Sequence, residues 1–276
     1  MPEAALRDLA AVLEDSGPAA LKGAGAAVSE GAGAAAPHAT VPVLPALRTV
    51  VPGGGLRPGS VVGLDGPGAA SLGVALAAGV SRHGGEDGAG GWCAVVGLPG
   101  FGVAAAAGMG AAPERLLLVD EPGDRWPDVV AALAEAVELV LLCPPERPGA
   151  AAVRRLTALA RKHGCVLTLT GVFARDWPGT RLRLRVEDPV WEGLAEGHGR
   201  LTGRRVQVVA EGRDAPGSGR RAALWLPAAD GTVRPVETAR PPLELVPGSV
   251  AAGAPVHPRP SGPPPLVRVP AEEGIA

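Results

Sequence analysis

Lysine is almost missing from this chain. Of its 26 basic residues only Lys22 and Lys162 are lysine, and the rest are arginine. Tyrosine is absent and phenylalanine occurs twice in 276 residues, which leaves little material for an aromatic platform that stacks bases. Neither sign of charge dominates: 28 acids give a net charge of -2, so there is no bulk pull toward a phosphate backbone. Cysteine is scarce too. Cys93, Cys143 and Cys165 are far apart, form no CxxC pair and sit in or beside apolar runs. That pattern speaks against a disulfide framework or a metal finger and predicts buried, reduced thiols. No run of about 18 apolar residues is free of charges and breakers, so no membrane span is expected. The first residues include Glu3 and Asp8 and lack a secretory layout. The expected location is the cytoplasm, with association with the nucleoid left open.

What the chain does have is 41 glycines and 30 prolines, with abundant Ala and Arg, a mixture that looks like GC-rich coding. A hydrophobic content of 46% still supports a packed core. Four regions follow. Residues 1–15 hold an amphipathic helix over 4–14, with Leu6, Leu9 and Leu13 on one face. Residues 16–40 are mostly Ala, Gly and Pro without apolar period and read as a flexible linker. Residues 41–236 form the structured core. Residues 237–276 are Pro-rich and read as a disordered tail.

Within the core, short apolar runs alternate with helix-like segments. Strands are expected at Val61–Leu64, Trp92–Val96, Arg115–Val119, Glu138–Leu142 and Val166–Thr170. Helices are expected from a Ser71 N-cap to Ser81, over 103–109, over 126–136, and from Pro148 to His163 with Gly164 closing the last. Such alternation implies βαβ units and a mainly parallel sheet. After Trp177 the pattern changes. Arg181-Leu182-Arg183-Leu184-Arg185-Val186 alternates with period two, a half-buried strand with an arginine face. Strands at 204–210 and 222–226, joined by a hairpin-like connection over 211–219, complete an antiparallel extension. The fold class is therefore α/β.

The most informative stretch runs from Gly53-Gly54-Gly55-Leu56-Arg57-Pro58-Gly59 through Val61-Val62-Gly63-Leu64-Asp65 to Gly66-Pro67. In order and spacing it resembles the run that leads into the phosphate loop of RecA-family recombinases. A working phosphate loop needs amides that cradle phosphates, a lysine that reaches them and a hydroxyl on Mg²⁺. Here the second glycine position is Ser71, the lysine position is Leu72 and the hydroxyl position is Gly73. Gly66, Pro67, Ser71, Leu72 and Gly73 thus mark a degenerate loop. The strand at 92–96 runs into Gly97-Leu98-Pro99 with no acid, and the strand at 138–142 runs into Cys143-Pro144-Pro145 before Glu146. No catalytic residue, metal site or cofactor is expected. An ordinary Gly-rich turn that never held phosphate is the plainer alternative.

Beyond the loop, residues 41–236 resemble the RecA-like accessory proteins of bacterial mutagenesis cassettes, the ImuA type. The residues that carry this are Leu182-Arg183-Leu184, Trp191-Glu192-Gly193-Leu194 and the Gly197-His198-Gly199-Arg200-Leu201 to Gly203-Arg204-Arg205-Val206 run. The resemblance implies a RecA-like core and a noncatalytic adaptor role in damage-induced mutagenesis and translesion synthesis. It implies two partners, an inactive Y-family-like polymerase homologue and an error-prone replicative-type polymerase, with self-association also in view. Leu6, Leu9 and Leu13 are the candidate partner contacts. Between residues 175 and 234, eleven arginines face eight acids. Arg181, Arg183, Arg185, Arg204 and Arg205 are the candidate DNA contacts, although a solvated strand face would look the same. The competing readings are a diverged DNA-dependent ATPase and a cell-division inhibitor that acts by binding protein.

Overall fold

A computed structural model describes residues 40–85, 88–195 and 198–237. The helix expected over 4–14 with Leu6, Leu9 and Leu13, most of the 16–40 segment and the Pro-rich tail lie outside the described residues.

The short apolar runs become the parallel part of a nine-stranded sheet, each too short for a helix and apolar on both faces. Its parallel part consists of β3 (Val61–Asp65), β4 (Cys93–Val96), β5 (Leu116–Val119), β6 (Leu139–Leu142) and β7 (Val166–Leu169). Every residue of β4, β6 and β7 is buried. The order across the sheet is β11-β10-β9-β8-β3-β7-β6-β4-β5. β8 (Leu182–Ala195) joins β3 in parallel, with Leu182 opposite Val62 and Arg185 opposite Asp65. From β8 outward the pairing is antiparallel through β9 (His198–Gly212), β10 (Ala215–Trp225) and β11 (Arg234–Pro235). β1 (Val41–Pro42) and β2 (Gly55–Leu56) form a separate antiparallel pair.

Helices cover both faces. α1 (Ala69–His83) and α2 (Val103–Gly108) pack on one side, where Leu72, Leu76 and Val80 meet Leu64, Val95 and Leu141. The same core continues under the antiparallel extension through Val206, Val208 and Ala210. α3 (Trp126–Ala136) and α4 (Ala150–His163) pack on the other side, around Trp126, Leu133, Leu142 and Leu156. Cys93 and Cys165 are buried and Cys143 is half-buried.

Three expectations shift. Pro148 lies ahead of α4, whose N-cap is Gly149 in extended conformation. Gly164 closes α4 as expected, in the left-handed region at φ 72. The β9–β10 connection is a tight turn at Arg213 and Asp214, not a loop over 211–219. β8 also runs nine residues past Val186, because Asp188 and Pro189 are absorbed as a register shift between Glu187 and Val190 and do not end the strand. Among the described residues, no helix is long and apolar enough to cross a membrane.

Candidate functional site

The loop between β3 and α1 is where a phosphate would be held, and its backbone is not a cradle. α1 begins at Ala69, and its N-cap is Gly68 in the left-handed conformation, φ 78 and ψ 25. The expected cap, Ser71, lies inside the first turn and caps nothing. Glycine is what allows this early start, since a left-handed N-cap strains any residue with a Cβ. The Ala69 amide donates to the Gly66 carbonyl at 3.2 Å, and the Ser71 amide to the Gly68 carbonyl at 3.0 Å. These two amides are spent on the turn itself.

The side chains follow. Leu72 is fully buried in the core that holds Leu64 and Leu141. Gly73 is a contact glycine: a Cβ there would lie 2.7 Å from one Leu141 methyl and 3.1 Å from a Leu64 methyl. The two positions that would carry the lysine and the hydroxyl therefore pack the helix on the sheet. The β6 strand ends at Leu142, Cys143 follows it, and Glu146 is exposed. Among the described residues no cluster of His, Cys, Asp or Glu could hold a metal ion.

Asp65, at the carboxyl end of β3, is the charged residue of this turn. Its Oδ1 accepts from the Gly66 amide at 2.7 Å and from Arg175, whose Nη2 is 2.6 Å away. Burial alone would raise the Asp65 carboxyl. The Arg175 hydrogen bond, the Gly66 amide and the charges of Arg175 and Arg183 together hold it below its ordinary value. Asp65 is thus tied to the protein rather than offered to a ligand. Sequence reasoning did not single it out; an acid closing a buried strand opposite an arginine of β8 was the available signal.

The predicted arginines do not form one face. Along β9, Arg204 shares its side with Val206, Val208 and Ala210, while Arg205 points to the opposite side. Arg181, Arg183 and Arg185 are half-exposed and largely engaged. Arg181 pairs with Asp214 at 2.7 Å, and Arg185 with Glu211 at 2.7 Å and Glu187 at 2.9 Å. Arg183 donates to the Arg175 carbonyl at 3.5 Å. Arg205 pairs with Glu192 at 3.1 Å and lies 5.7 Å from the Trp225 ring. The basic strand face is a ladder of ion pairs, each worth little in water but together lowering the positive potential.

Arg204 is different. It is 5% exposed, opposite Trp191 in the β8–β9 register, and its guanidinium carbon lies 5.2 Å from the Trp191 ring. Its Nε donates to the Leu226 carbonyl at 2.9 Å. The guanidinium rests on Gly68, where any Cβ would collide with Nη1. The antiparallel extension thus lays a cation against the N-terminus of α1. Around it, Val190, Trp191, Leu194 and Leu201 leave the outer half of the β8–β9 hairpin partly apolar and exposed.

Residues 49–179 match the family described as the MT3502 N-terminal domain. An uncharacterized protein of Mycobacterium tuberculosis, Rv3395c, is 37% identical over 174 residues, which is 59% of this chain and 80% of that protein. Among solved structures, the RadB recombinase superposes with a TM-score of 0.51 at 17% identity, covering 70% of this chain and 97% of RadB. That likeness shows the fold: a RecA-like sheet with an antiparallel extension.

Proposed function

This chain belongs to the family of the mycobacterial protein Rv3395c, and from that premise we propose that it is a noncatalytic RecA-like adaptor of the ImuA type. It serves a complex for damage-induced mutagenesis and translesion synthesis. One observation carries the reading. The helix that should present a lysine and a hydroxyl to phosphate instead buries Leu72 and packs Gly73 on Leu141. A RecA-like frame without that chemistry is suited to holding other proteins. The exposed apolar residues of the β8–β9 hairpin and the half-exposed edge strand β5 give it surfaces for doing so. The partners in this reading are an inactive Y-family-like polymerase homologue and an error-prone replicative-type polymerase.

The test is co-purification of the full chain with both polymerase-like proteins. The adaptor reading expects a complex that survives nuclease and changes little between low and high salt. A complex that dissolves with nuclease, or weakens steeply with salt, is bridged by DNA and counts against direct contact. ATP turnover by the purified chain, abolished by a Gly66 substitution, would replace the adaptor with a diverged ATPase. Filamentation on overexpression without any effect on induced mutagenesis would favour a division inhibitor.

A further inference from the structure

Four of the seven large apolar side chains exposed among the described residues stand on the β8–β9 hairpin: Val190, Trp191, Leu194 and Leu201. The hairpin reaches past its neighbours. β3 accompanies β8 only as far as Arg185, and the pairing of β10 with β9 ends at Arg205. Beyond these points two strands run as an arm without a third, and a lone hairpin is marginal in water.

Period two sorts the side chains of the arm. Val190 pairs with Arg205, Arg205 with Trp225 and Trp225 with Arg234, so these four stand in one row on one face. Leu194 keeps step with Val190 and Glu192, and Leu201 with Gly203 and Arg205, so both share that face. The opposite side of the extension packs into the core through Leu184, Val206 and Leu224. Among the described residues, none of β8, β9 or β10 joins the core cluster under α3 and α4, so the face of the row is uncovered. A groove of about 420 Å³ opens on it, lined by Trp225, Glu192, Arg205, Arg234 and Val236.

The free edges nearby are closed. The Val236 amide donates to the Ala223 carbonyl, so the alternate residue Pro235 faces the outer edge of β11 and has no N–H to give. Along the arm, β8 carries Pro189 and two register shifts. What remains open is the face. Its groove sets Glu192 and Glu237 against Arg205 and Arg234, so no net charge selects an anionic or a cationic partner. A neutral face that carries apolar knobs at one end and a groove at the other is complementary to itself.

We propose that two copies of this chain associate about a two-fold axis through this face, each laying Leu194 and Leu201 in the other's groove at Trp225. Glu192 and Arg205, 3.1 Å apart in one copy, lie between the two halves, and each exchanges its partner for that of the other copy. Strands spaced at about 4.8 Å, with β8 and β9 running 14 and 15 residues, offer the roughly 800 Å² per partner of a standard interface. Trp191, on the reverse of the arm, stays with Arg204. The proposal goes beyond the adaptor reading: it gives this face to the chain itself and leaves β5 to other proteins.

Sedimentation equilibrium of the nuclease-treated full chain over a range of concentrations tests it. The expected result is a monomer–dimer equilibrium with no larger species, since a two-fold contact closes. Leu194→Asp combined with Leu201→Asp should weaken the dimer at least about tenfold and leave the circular dichroism of the exposed hairpin's host unchanged. Glu192→Arg and Arg205→Glu should each dimerise poorly alone and well when mixed, because in the mixture every crossed pair is again opposite in sign. A pair that acts only within one chain gives no such rescue. A monomer at every concentration, open-ended growth, a dimer indifferent to the aspartates, or a mixture no tighter than its components would each overturn the proposal. If the aspartate variant does not fold, the mixture of charge variants decides. With no polymerase present, a monomer would remove the dimer and leave the adaptor standing.

Discussion

A lysine at position 72 would have to leave its ammonium group in the core shared by Leu64, Leu76 and Leu141. Restoring the missing residue by Leu72→Lys should therefore not restore ATP turnover. It should cost on the order of 3–5 kcal/mol of stability, as other buried uncompensated charges do. Urea unfolding and an ATPase assay measure the two outcomes on one preparation. Asp65 predicts a pH effect. Its folded pKa lies below the unfolded value of about 3.9, so its share of stability is present above that value. That share is lost as the pH falls through the lower, folded value. Asp65→Asn should make the urea midpoint less sensitive to acid between about pH 5 and pH 3 than in wild type. The effect should be small, because the partner Arg175 is exposed.

At the scale of elements, the contact between α1 and β6 is set by a missing side chain. Alanine is the better helix former, by about 1 kcal/mol over glycine. At position 73 its methyl would press on Leu141 and Leu64, and overpacking of a tight core costs about 1–3 kcal/mol. Gly73→Ala should thus destabilise in spite of its propensity gain, with a lower urea midpoint and an unchanged m-value. The strands of the parallel part were readable from sequence, because runs such as Leu139–Leu142 are apolar without a break. Helix starts were less so. Ser71 carries the usual capping chemistry, but Gly68 three residues earlier could take a left-handed φ, and backbone freedom outranked the hydroxyl. Arg204 and Arg205 looked equivalent as neighbours in a basic segment. Period two separates them, since Arg204 falls in step with Val206, Val208 and Ala210. That parity was the readable clue to a buried cation. Its meeting with Gly68 was not readable, because it depends on β9 lying two strands from β3.

Across the whole molecule, two kinds of sheet meet at β3 and β8. On one side every connection between strands is a crossover through helices. On the other, β8, β9 and β10 follow one another by hairpins. The join is short: Val62, Gly63, Leu64 and Asp65 opposite Leu182, Arg183, Leu184 and Arg185. Local pairings close with less loss of chain entropy than distant ones. The hairpin half should therefore hold its amides on a different timescale from the parallel half. Native-state hydrogen exchange should find two groups of opening energies, with the boundary at these four pairs. Arg204 and Gly68 lie on opposite sides of that boundary. The Arg204 guanidinium packed on Gly68 is thus a clasp across that boundary, and Arg204→Met should let the two groups of exchange rates drift further apart.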